Sequence, residues 1–139
     1  MNKNFNLQFF ISYLGFLPFL LIIIDKFFLH QIDINILQGF SIFYSIIILV
    51  FIGSINWDLK KQVPSILVLY GFLPSIFSVI VMILYFYNFV VFTLIILFFL
   101  LQLVFDYFLI YKSEKHSRVF FQLRLPLTIL IVLSLLIIQ

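Results

Sequence analysis

Gln102 and Asp106 stand four residues apart, a spacing that puts both on one face of a helix, one turn from each other. Asp106 lies about one and a half turns from the end of the fourth apolar run, and Arg124 lies a similar distance into the fifth. A carboxylate at such a depth in an apolar segment is costly unless it is paired or wetted, and a guanidinium is its natural partner. Two chemistries follow. One is a buried ion pair that fastens two helices; the other is a proton or ion relay, or an anion pocket. Asn56 and Trp57, beside Asp58, close the second apolar run at the same level. They complete a candidate polar cluster of Asn56, Trp57, Gln102, Asp106 and Arg124. The plainer reading has Arg124 snorkelling, Asp106 pairing with it or with a loop Lys, and Trp57 anchoring at an interface.

No second constellation competes with this cluster. There is no Ser-His-Asp spacing, paired-His metal motif, phosphate-cradling Gly-rich loop or dinucleotide fingerprint. Cys is absent, which removes disulfides, thiolate metal sites and thiol nucleophiles. His30 sits in a slightly acidic connection with Asp25 and Asp33, and no second His or Cys lies at ligand spacing, so it reads as a solvated loop residue. The expectation is a chain with no catalytic residue, no cofactor and no metal.

The second motif concerns backbone shape. Gly15-Phe16-Leu17-Pro18 recurs as Gly71-Phe72-Leu73-Pro74, each copy shortly after a tyrosine, Tyr13 or Tyr70. Each Pro frees the carbonyl four residues earlier, that of Leu14 or Tyr70, and kinks its helix. Ser12, Ser75 and Ser78 are nearby donors that could satisfy those carbonyls. Gly71 with Ser75, and Ser41 with Ser45, form small-x-x-x-small faces that let backbones approach. Gly15, Pro18, Gly71 and Pro74 are therefore candidate kinks. They serve packing, or else a paired hinge beside a midplane site; packing is favoured, because no charged group lies at their level.

Apolar segments must hold these groups. The chain is 65% hydrophobic and 9% charged, with mean hydropathy +1.31. Soluble domains carry about 25% charged residues, so a water-facing surface cannot be built from this composition. The 21 Phe, with Lys outnumbering Arg, are accounted for by AT-rich coding rather than by an aromatic site. Five spans are expected near residues 8–24, 37–55, 63–87, 89–109 and 120–138 of one domain, 1–139. Each has the roughly 17–25 residues that cross a ~30 Å hydrocarbon core as a helix. The first lacks a small-residue cleavage site and reads as a retained anchor. The short turn at Tyr87-Asn88 makes the third and fourth spans an antiparallel hairpin, and Pro64 suits the opening turn of the third.

Cations give the orientation. Lys3, Lys60, Lys61, Lys112, Lys115, Arg118 and Arg124 fall on one side and Lys26 on the other. The positive-inside rule then places the N-terminus inside and the C-terminus outside. With the Gly-Phe-Leu-Pro repeat, the layout is an all-α bundle of two helix pairs in a weak parallel repeat plus a fifth helix.

Three stretches resemble a bacterial inner-membrane domain family of unknown function that also includes a small mitochondrial transmembrane protein. They are Gly15-Phe16-Leu17-Pro18-Phe19, Phe51-Ile52-Gly53-Ser54-Ile55-Asn56-Trp57, and Leu123-Arg124-Leu125-Pro126-Leu127-Thr128. The family pattern closes the second span with Gly-Gly-x-His-Trp; here Ser54 and Asn56 replace the second Gly and the His, which removes a titrating group. Gln102 and Asp106 match polar positions of the family's fourth span. The resemblance implies a five-helix bundle in an energy-transducing membrane, bacterial inner or mitochondrial inner, and no activity. The expected function is thus a non-enzymatic accessory, assembly or stabilising component of a membrane complex. The alternative is a small transporter or ion-conducting oligomer using the polar cluster. Expected partners are the lipid bilayer and other membrane proteins or further copies of the chain, with no nucleic acid.

Overall fold

The computed structural model describes residues 3–54, 63–111 and 119–139. Among these residues all regular structure is helical, without a strand. The helices are α1 (Lys3–Leu14), α2 (Leu17–Ile24), α3 (Ile34–Ser54), α4 (Ser65–Phe86), α5 (Phe92–Asp106) and α6 (Leu125–Ile138). Wider π-helical turns follow α2 at Asp25–Leu29 and α5 at Tyr107–Tyr111, and another leads into α6 at Phe120–Arg124. Five helical stretches are long and apolar enough to cross a membrane: Phe9–Leu29, Ile34–Ser54, Ser65–Phe86, Phe92–Ile110 and Phe120–Ile138. Every span contributes to one core, whose fully buried side chains include Phe19, Leu49, Val81, Ile95, Phe99 and Leu135.

The first span runs past its expected end at Ile24 to Leu29, because the charges at Asp25 and Lys26 find partners without leaving the helix. Asp25 is buried, and its carboxylate accepts the backbone N–H groups of Gln31 (3.4 Å) and Ile32 (3.1 Å). His30, left-handed at φ 50°, returns its N–H to the Asp25 carbonyl at 2.8 Å. Lys26 Nζ donates to the carbonyls of Ile137 (2.8 Å) and Ile138 (3.0 Å), capping the end of α6. Gln38 adds a bond to the Gln139 carbonyl at 2.9 Å. A cation at a helix C-terminus also opposes the negative end of the helix dipole. The fourth span begins at Phe92 rather than Phe89. Asn88 takes a left-handed φ of 59°, and the Phe89 N–H closes back on the Leu84 carbonyl at 3.1 Å. Asn tolerates that conformation, which ends helices in this manner. Pro64 precedes α4 as its cap residue, at ψ 135°, instead of lying in the first turn.

The second and third spans pack most closely. A Cβ on Gly53 would lie 2.5 Å from the Gly71 carbonyl oxygen and 2.9 Å from Pro74 Cγ. Near the other end, a Cβ on Gly39 would meet the Tyr85 hydroxyl at 2.7 Å. Close approach thus uses Gly39 and Gly53, while Ser41 and Ser45 bond back to the carbonyls of Gln38 and Ser41, each at 2.7 Å. That back-bonding lets buried hydroxyls sit in a helix interior. The third and fourth spans run antiparallel, with Phe77 stacked on Phe98 at 3.9 Å between ring centres.

The two Gly-Phe-Leu-Pro copies fold differently. At the first, the ladder breaks: Gly15 and Phe16 form a turn between α1 and α2, and Pro18 sits in the first turn of α2. At the second, α4 continues unbroken through Pro74. The difference lies in what presses on each copy. Gly71 and Pro74 are buried against Gly53, whereas Gly15 is exposed on the perimeter. Ser78 donates to the Pro74 carbonyl at 2.6 Å rather than to that of Tyr70.

Candidate functional site

Arg124 and Asp106 meet. Arg124 Nε donates to Asp106 Oδ2 at 2.5 Å, with the Asp106 side chain 2% exposed and that of Arg124 10%. Asp106 ends α5 where the helix widens into its π turn, and Arg124 ends the π turn that leads into α6. Pro126 explains the wide turn on the Arg124 side. It sits in the first turn of α6 and has no N–H to give, so the helical ladder is broken beneath it. The Leu125 N–H reaches back to the Phe120 carbonyl, and the Gln122 carbonyl accepts the Tyr13 hydroxyl at 2.7 Å.

The other Asp106 oxygen, Oδ1, accepts the Tyr70 hydroxyl at 2.6 Å, and that hydroxyl also lies 3.0 Å from the Gln102 carbonyl. Tyr70 thus joins the site although it is not among the five residues of the expected polar cluster. It was legible only as the neighbour of the Gly71 motif, yet reflecting the chain about the Tyr87-Asn88 turn brings position 70 level with 106. The carboxylate is therefore held from two sides by charge-assisted bonds, which shorten and strengthen contacts of this kind.

Gln102 stacks one turn deeper on α5, and Thr128 one turn deeper on the Arg124 helix. Both Gln102 side-chain polar atoms, the Thr128 hydroxyl and Arg124 Nη2 are buried without hydrogen-bond partners among the described residues. Each carries a desolvation cost of about 1–3 kcal/mol that a water or ligand would relieve. Asn56 and Trp57 lie outside the described residues, as do Asp58, Lys60, Lys61, Lys112, Lys115 and Arg118. Gly71 and Pro74 lie against Gly53, Gly15 and Pro18 lie at the break between α1 and α2, and Gly15 borders the cleft beside the pair.

That cleft has a volume of about 350 Å³ and lies between the first, second, fourth and fifth spans. Asp106 and Arg124 are its charged lining, and Ile48, Leu123, Leu127 and Ile131 are among its apolar walls. Tyr44 closes one side by donating to the Gly15 carbonyl at 2.6 Å, an acceptor freed by the broken ladder ahead of Pro18. Chemically, the arrangement can hold two helices together by charge and can present guanidinium donors to an apolar chamber. Among the described residues no group of three or more His, Cys, Asp or Glu side chains could hold a metal.

The model of a family described as "Protein of unknown function (DUF3429)" matches residues 6–138. No curated protein matches the chain, and no solved structure does.

Proposed function

The chain belongs to the DUF3429 family, whose description carries no activity, and from that premise we propose a non-enzymatic component that works beside other membrane proteins. Its role is accessory: assembling or stabilising a membrane complex. The observation that carries this reading is the engagement of Asp106 by both Arg124 and Tyr70. A carboxylate so occupied fastens helices, whereas a proton or ion carrier needs a carboxylate that can exchange partners. Meanwhile each span turns large apolar side chains outward, such as Phe10, Phe51, Leu69, Leu101 and Leu136. In lipid, such a perimeter suits lateral contact with other helices as well as with acyl chains.

The proposed setting is a bacterial inner membrane, or alternatively the mitochondrial inner membrane. The N-terminus is inside, supported by the uneven distribution of Lys and Arg. Affinity purification from native membranes tests the role. A stoichiometric partner that remains through purification is the expected result, and a lone homo-oligomer would overturn it. A second reading, transport, is favoured by one observation: the unpartnered Gln102, Thr128 and Arg124 groups occupy consecutive helical turns and could line a wet path. A homo-oligomer that passes ions or solutes across reconstituted vesicles would establish that reading.

A further inference from the structure

The cleft beside the ion pair has walls suited to a hydrocarbon chain and a floor suited to an oxygen acceptor. We propose that it binds one glycerolipid, with an acyl chain lying in the cleft and an ester carbonyl accepting from the Arg124 guanidinium. The inference is independent of the partner reading. Its volume of about 350 Å³ falls within the roughly 300–1,000 Å³ of ordinary ligand sites. From Arg124 to Ile131 the cleft follows the fifth span for seven residues, roughly 10 Å at 1.5 Å per residue. Ile11, Ile47 and Phe51, which are exposed on the perimeter, also line it. The cleft therefore opens sideways, where bilayer lipid is the most concentrated ligand available.

Charge selects the head. Asp106 already neutralises Arg124, so a fully anionic or cationic head would add a net charge to a low-dielectric site, which is expensive. A neutral carbonyl oxygen adds none. Arg124 is nine-tenths buried, spends Nε on Asp106 and keeps Nη2 without a partner. It thus has donor capacity that the described residues do not fill. Depth agrees with an ester: Arg124 stands four residues into the fifth span, close to the end where the glycerol region of a leaflet lies.

The test is photo-crosslinking in nanodiscs, using full-length protein and a phosphatidylcholine with a diazirine near the ester end of one acyl chain. Labelled peptides should concentrate on the cleft residues of the first, second and fifth spans. Ile11→Trp and Ile47→Trp fill the mouth of the cleft from the perimeter. They should lower labelling at the fifth-span sites at least five-fold while leaving the melting temperature unchanged. Arg124→Lys, which keeps the charge for Asp106 but loses the planar fork, should lower it by a smaller factor. Label spread evenly around the perimeter would mean annular lipid only and would overturn the site. So would labelling insensitive to both Trp variants. Displacement of the probe by an isoprenoid quinone, but not by added phospholipid, would reject a glycerolipid as the occupant.

Discussion

At the residue scale, the chemistry of this chain centres on Asp106. Its two oxygens are divided between a guanidinium and a phenol, on different spans. Removing either member of the buried ion pair strands the other, which costs on the order of 3–5 kcal/mol. Asp106→Asn and Arg124→Gln should each lower the melting temperature in detergent, with the double mutant losing less than the sum. Strictly additive losses would mean that the residues act through separate partners. Tyr70→Phe should cost less, about 1.5–3 kcal/mol for one bond to a charged group, and should be non-additive with Asp106→Asn. The polar members of this site were legible in the sequence, because an Asp and an Arg at equal depth on consecutive spans have few other partners. Tyr70 was not. A tyrosine inside an apolar run looks the same whether it faces lipid or a carboxylate, and the register of the neighbouring span decides between them.

At the element scale, breaks and close approaches divide the helices into working parts. Gly53→Ala would drive a methyl into the Gly71 carbonyl oxygen and the Pro74 ring, so that α3 and α4 must separate; overpacking of this kind typically costs about 1–3 kcal/mol. Gly39→Ala should cost less, because the atom it meets is the far end of the Tyr85 side chain, which can swing away. Thermal unfolding of the two variants side by side checks the order. Pro74→Ala should shift stability while leaving partner binding intact, the expectation for a proline used in packing. The sequence motif could not distinguish its two copies. Both carry the same tetrapeptide; the second packs against Gly53 and stays helical, while the first breaks and gives its Gly15 carbonyl to the Tyr44 hydroxyl. The first span runs to Leu29 instead of the expected end near residue 24. Asp25 and Lys26 stay within the helix because they bond to their own loop and to the last span.

At the scale of the whole molecule, five apolar helices were readable from composition and run length, since only helices and closed barrels cross ~30 Å of hydrocarbon with the backbone satisfied and the runs lack a barrel's alternation. Lateral arrangement was not, because lipid-facing and helix-facing residues here are both Leu, Ile and Phe. Orientation is tested by fusing alkaline phosphatase after Gln139, which should be active, and within residues 112–118, which should be silent. Reversed activities would invert the topology.

The clasp of Lys26 on the carbonyls of Ile137 and Ile138 has a counterpart in time. Tyr13 finds its Gln122 acceptor, and Asp106 its guanidinium, on the same last segment of the chain. Each of these bonds forms only when the fifth helix packs against the others. Until it packs, Lys26 and the Tyr13 hydroxyl lack their acceptors and Asp106 is left with the Tyr70 hydroxyl alone. A bundle whose fifth helix has not yet packed therefore holds charged groups in lipid without the partners that helix supplies, and the cost of doing so favours closure by it.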